Sequence, residues 1–163
     1  MEEPAPKRKP KKNALETAAG LLAARAYTKL ELRRKLYRKE VYPPFEIEQA
    51  VKKLESMGFL SDLRYCEDAC AILRSRGYGP MRIRNRLIQK GVPREILDSV
   101  LTETSSDPSG DALRVLEKNA RRILAEKDLR KRHAKALRLL ASRGFTADTV
   151  YQVVAQWEKQ CEE

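Results

Sequence analysis

The chain has 163 residues and a mass of 18.7 kDa, the size of one ordinary domain, which excludes a large multidomain enzyme. Hydrophobic residues at 42% are too many for a disordered chain, and 7 Gly with 8 Pro in no fixed period exclude a collagen-like one. Lys and Arg outnumber Asp and Glu by 34 to 23, a net charge of +11 that favours an acidic partner, either nucleic acid or an acidic protein surface.

Residues 1–13 hold Lys7, Arg8, Lys9, Lys11 and Lys12 among Pro4, Pro6 and Pro10. Such a composition cannot bury a core, so a flexible basic tail is expected there, serving solubility or loose polyanion contact. The tail has no apolar stretch of the kind a secretory signal needs. Three cysteines at uneven spacing, Cys66, Cys70 and Cys161, fit a reducing, cytoplasmic setting better than a disulfide framework. No run reaches the roughly 18 apolar residues of a membrane span, and even Leu15 to Ala26 is interrupted by Glu16, Thr17 and Arg25. No membrane partner is expected.

From residue 14 onward the period is helical. Leu15, Ala18, Ala19 and Leu22 share one face, and Thr28 with Glu31 has the spacing of a capping box. Pro44 opens a segment whose apolar stripe is Ile47, Ala50, Val51 and Leu54, closed by Gly58. The next stripe reads Tyr65, Ala69, Ile72 and Leu73 and ends at Gly77; Pro80 opens another helix, ended by Gly91, and Pro93 precedes one more. Gly144 punctuates the final third, before the stripe Val150, Val153, Val154 and Trp157. No segment alternates like a strand, so the fold class is all-α.

The segments repeat. Tyr27 to Leu36 aligns with Tyr78 to Leu87 at an offset of 51, pairing Leu32 with Ile83 and Leu36 with Leu87. Lys90-Gly91-Val92 aligns with Arg143-Gly144-Phe145 at an offset of 53, pairing Leu87 with Leu140 and Val100 with Val153. These periods predict tandem three-helix, helix-turn-helix-like repeats over 14–61, 62–103 and 111–160, stacked into an elongated, curved body. The polar stretch Thr104 to Gly110 between the last two is expected to be a linker.

Seven basic residues and no acid lie between Arg74 and Arg94. On the helix opened by Pro80, Arg82 and Arg86 are four apart and Lys90 follows after four more, so a basic ridge is expected on one side, with Ile83 and Leu87 facing the core. Gly77-Tyr78-Gly79-Pro80 lacks the lysine and hydroxyl of a phosphate-binding loop and follows no strand; it reads as a tight turn with Tyr78 packed across the joint. Cys66, Cys70, Cys161 and His133 are too scattered for a zinc site, so no metal and no cofactor are expected, and the cysteines read as small buried apolar groups. His133 lies among Arg130, Lys131, Arg132 and Lys135 with no evident carboxylate to orient it, and Glu46 and Glu48 read as surface residues. Nothing here reads as an enzyme.

Arg76 to Val92 resembles the central signature of the bacterial RecX family, small regulatory proteins that modulate the RecA recombinase. Thr28-Lys29-Leu30-Glu31-Leu32 is similar to that family's S-x-x-E-L element, Gly58-Phe59-Leu60-Ser61-Asp62 to its G-[FY]-L-[DN]-D element, and Leu139 to Phe145 to the motif opening its last helix. Ser61 departs from the acid common at its position, and Cys66 and Cys70 from the usual small apolar residues. The resemblance implies a modular all-helical protein that lies along the RecA filament on single-stranded DNA. Such a protein lowers ATP hydrolysis, strand exchange and coprotease activity, without an active site of its own.

The expected filament-binding residues are Arg74, Arg76, Arg82, Arg84, Arg86 and Lys90. Secondary basic contacts are expected at Arg25, Arg33 and Arg34 and at Arg121, Arg122, Arg130, Lys131 and Arg132. Weak, salt-sensitive, non-specific binding to single- or double-stranded DNA should accompany the net charge, and a monomer is expected. The competing reading is a helix-turn-helix DNA binder, with the Arg82-to-Lys90 helix in a major groove. Only Arg82, Arg84 and Asn85 would serve base readout there, and the matching helix of the first repeat shares no common reading face with it.

Overall fold

The computed structural model describes residues 12–104 and 107–162. The basic tail therefore lies almost wholly outside the described residues, as do positions 105 and 106 of the expected linker; on its other side, Asp107 caps a helix that begins at Pro108. Among the described residues there are nine helices and no strand. No helix among them is long and apolar enough to cross a membrane.

The chain divides into two compact units, and the boundary falls inside α4. The first unit runs to Tyr65 and also takes in the turn Lys90–Pro93. It contains α1 (Ala14–Ala24), α2 (Lys29–Tyr37), α3 (Pro44–Ser56) and the start of α4 (Asp62–Ser75). Helix α1 opens with a capping box: the Asn13 side chain accepts from the Glu16 N–H at 2.8 Å, and the Glu16 carboxylate accepts from the Asn13 N–H at 3.2 Å. Glu46 accepts from the Ala14 N–H at 2.8 Å, so this acid, expected at the surface, satisfies one of the orphan donors of α1. The expected box on α2 forms between Thr28 and Glu31, and the buried Asp62 accepts from the Lys29 N–H at 2.8 Å.

Leu32, Leu36, Ile47, Val51, Leu54 and Leu60 close the first core with Ala18 and Tyr27. Each large side chain so buried contributes about 1.5–3 kcal/mol. On α1 the buried positions are Ala14 and Ala18; Ala19, expected on the same face, is exposed.

The second unit holds the rest of α4 with α5 (Pro80–Gln89), α6 (Arg94–Thr104), α7 (Pro108–Leu124), α8 (Leu129–Arg143) and α9 (Ala147–Glu162). Its main core gathers Val115, Leu116 and Ile123 from α7, Ala136 and Leu140 from α8, and Val150, Val153, Val154 and Trp157 from α9 around Phe145. Ile83 and Leu87 are buried on α5, as the repeat predicts. Cys161 on α9, expected to be buried, is exposed, and on α4 Cys66, Cys70 and Leu73 are buried as expected while Ile72, expected on the same face, is 51% exposed. Free cysteine behaves as a small hydrophobe, and the buried face here is set by what packs against it and not by the bulkiest residues on the helix. Burial raises the Cys70 thiol above its ordinary pKa, against a hydrogen bond with Cys66 and the charge of Arg74.

The four punctuating glycines, Gly58, Gly77, Gly91 and Gly144, have φ of 75°, 79°, 85° and 88°. All four take the left-handed conformation that ends a helix.

Candidate functional site

In the second unit the turn before α5 meets the turn after α8 backbone to backbone. The Gly79 N–H donates to the Arg143 carbonyl at 2.8 Å and the Met81 N–H to the Gly144 carbonyl at 3.1 Å. A Cβ on Gly79 would lie 2.5 Å from the Gly144 carbonyl carbon, and one on Gly144 would lie 2.4 Å from the Arg82 Cβ. Only glycine at both positions permits this approach.

The same approach brings arginines together. Arg82 donates through Nη1 to the Ser142 carbonyl at 2.5 Å, and Arg143 donates through Nη1 to the Arg76 carbonyl at 2.9 Å. The half-buried Tyr78 ring lies beneath three guanidinium groups, with Arg86 at 4.6 Å, Arg82 at 5.0 Å and Arg143 at 5.5 Å from its centroid. The negative face of the ring holds cations that would otherwise repel one another, at about 0.5–1 kcal/mol each where exposed. Among the described residues, Arg76, Arg82, Arg86 and Arg143 form no ion pair with any acid. The result is a set of unneutralised forks on a rigid junction. Arg143 is the member that reading the sequence for basic runs leaves out, although its alignment with Lys90 marks it.

Three other residues of the basic stretch are neutralised. Arg74 bridges to Asp111 of α7 at 2.8 Å, Arg84 to Asp98 of α6 at 2.5 Å, and Lys90 to Glu31 at 2.8 Å. Helix α5 ends at Gln89, so the ridge on that helix comprises Arg82 and Arg86, and Lys90 lies in the turn that belongs to the first unit.

That turn makes the corresponding junction of the first unit. The Thr28 hydroxyl donates to the Lys90 carbonyl at 2.5 Å while accepting from the Glu31 N–H at 3.1 Å, and a Cβ on Gly91 would lie 2.5 Å from Leu30 Cδ2. Here an acid is present. Glu31 takes Lys90 at 2.8 Å and Arg25 at 3.7 Å, and Arg25 stacks over Tyr27 at 3.6 Å. Burial would raise the Glu31 pKa, but the hydrogen bond and charge of Lys90, the Thr28 N–H and the charge of Arg25 outweigh it and hold the carboxyl below its ordinary range.

Of the remaining secondary cations, Arg33 pairs with Glu48 at 2.9 Å, while Arg34, Arg121 and Arg122 are exposed. Arg130 and Lys131 stand exposed in the first turn of α8, where the Asp128 side chain accepts from both of their backbone N–H groups, and Arg132 donates to the Glu126 carbonyl at 3.1 Å. His133 corrects the sequence reading: Glu158, 25 positions away, lies 2.9 Å from its Nδ1. Among the described residues, no group of three or more His, Cys, Asp or Glu side chains is placed to hold a metal ion.

Family models for the first, second and third three-helix domains of RecX match residues 14–54, 61–101 and 111–154. The chain belongs to the RecX family. A regulatory protein RecX from Pseudomonas fluorescens is 39% identical over 140 residues, covering 85% of this chain and 88% of its own. Another, from Thermus thermophilus, is 38% identical over 132 residues, covering 81% and 83%. The crystal structure of RecX from Lactobacillus salivarius matches with a TM-score of 0.78 over 89% of this chain and 94% of that one; at 20% identity it speaks for the RecX fold alone. These RecX relatives are named regulatory proteins, and the resemblance drawn from the basic signature and its flanking motifs agrees with them.

Proposed function

We propose that this chain restrains the RecA recombinase by binding its filament on single-stranded DNA, lowering ATP hydrolysis, strand exchange and coprotease activity during recombination and the SOS response. The observation that carries this reading is the unneutralised cluster of Arg82, Arg86 and Arg143 around Tyr78 in a member of the RecX family. Arginine forks on a rigid junction suit carboxylates and phosphates, and they set the register and speed of encounter more than the whole affinity.

In this reading Arg74 and Arg84 belong to the binding surface of the second unit, holding its helices in place through their ion pairs, and Lys90 is a contact on the first unit. Arg121, Arg122, Arg130 and Lys131 of the second unit and Arg34 of the first are further contacts of a monomer whose repeats over 14–61, 62–103 and 111–160 each contribute to filament binding. Non-specific DNA binding accompanies this and stays weak.

The test is RecA ATP hydrolysis on single-stranded DNA, titrated with the wild-type chain and with Arg82→Glu/Arg86→Glu at two salt concentrations. Inhibition well below the RecA concentration, lost in the double variant while its helicity by circular dichroism is kept, is the expected result. Inhibition that appears only once the chain coats the DNA, or tight preference for one duplex sequence, would replace this reading with a helix-turn-helix DNA binder.

A further inference from the structure

Within the second unit, the end of α4 and one face of α7 enclose a cleft of about 390 Å³. Its lining carries Arg74, Arg76, Arg114, Lys118 and Arg143, with Asp111 the one acid among them. Asp111 is engaged from both sides, by Arg74 at 2.8 Å and by Arg114. Arg76, Lys118 and Arg143 have no ion-pair partner among the described residues. Gly77 is what allows the cleft to be narrow. A Cβ there would lie 2.8 Å from Val115 Cγ2, so the turn after α4 sits directly on α7. The hydrogen bond from Arg143 to the Arg76 carbonyl holds α8 to the rim.

We propose that this cleft receives a condensed phosphate chain, such as the polyphosphate of a nucleoside triphosphate. Five cations against one acid leave a surplus that a single carboxylate would barely offset, whereas adjoining phosphates bring several charges into one small volume. Guanidinium forks pair bidentately with phosphate oxygens, and the volume falls within the range of small-molecule sites. A nucleic-acid strand spaces its phosphates one per nucleotide and runs along a surface, so a short cleft would meet few of them. This inference stands apart from the filament reading, with which it shares only Arg74, Arg76 and Arg143.

The experiment is calorimetric titration of the full chain with sodium tripolyphosphate at fixed ionic strength. Sulfate and a short oligothymidylate serve as competing probes, and the variants are Lys118→Glu, which lines the cleft, and Lys127→Glu, which does not. Both positions are exposed, so both variants should fold. One equivalent of tripolyphosphate should bind, about tenfold more weakly to Lys118→Glu and little changed by Lys127→Glu. Equal weakening in the two variants, equal binding of sulfate, or a loss confined to the oligonucleotide would each overturn the proposal.

Discussion

The two junctions use corresponding residues to opposite electrostatic ends. In the first unit, Tyr27, Thr28, Glu31 and the turn at Lys90-Gly91 form a neutralised knot in which one carboxylate serves two cations. In the second, the aligned positions are Tyr78, Gly79, Arg82 and Arg143-Gly144, and the carboxylate has been replaced by a third guanidinium group over the ring. The backbone approach differs as well. Thr28 reaches its partner carbonyl through a hydroxyl, whereas Gly79 does so through its own N–H, which brings the chains closer and removes room for any Cβ. The first junction is thus a structural tie and the second an exposed cationic cluster, and the reversal of charge from Glu31 to Arg82 is the main electrostatic difference between them.

The comparison can be broken most forcefully at Gly79. Gly79→Ala places a methyl group against backbone that cannot move without losing two hydrogen bonds, and should cost about 3 kcal/mol in urea unfolding. A smaller, functional effect is expected from Arg82→Glu alone, which supplies at the second junction the acid that the first one has. It should leave stability within about 1 kcal/mol, through a new pair with Arg143, while weakening inhibition of RecA ATP hydrolysis about tenfold. Unchanged inhibition would show that charge at this position is irrelevant to the partner.

Thr28→Ala removes both the α2 cap and the bond to Lys90, and should lower stability by about 1–2 kcal/mol, read by thermal unfolding. The smallest effect concerns pH. Because the folded Glu31 pKa lies below its ordinary 4.5, its contribution is fully present above that value and is lost as pH falls through the lower folded one. Glu31→Gln should flatten that acid limb and leave the curve above it parallel to the wild type, as followed by circular dichroism across a pH series.

Much of this architecture is legible locally. The capping box at Thr28, the prolines that open α3 and α5, the four left-handed glycines and the apolar stripes of α3 and α9 all follow from interactions reaching no more than about a turn along the chain. The internal offsets locate both junctions before either is seen, and the basic signature carries the RecX family.

Charge compensation is not legible in that way. Arg74 meets Asp111 across 37 positions and Lys90 meets Glu31 across 59. A helix's own sequence sets its period and its ends, but the neutralising partner of a surface cation is whichever acid the packing brings within about 4 Å. The sequence by itself thus determined the helices, the repeat and the excess of positive charge. Only the tertiary structure decided which cations remain unpaired, because Coulomb attraction acts through space and takes no account of chain order.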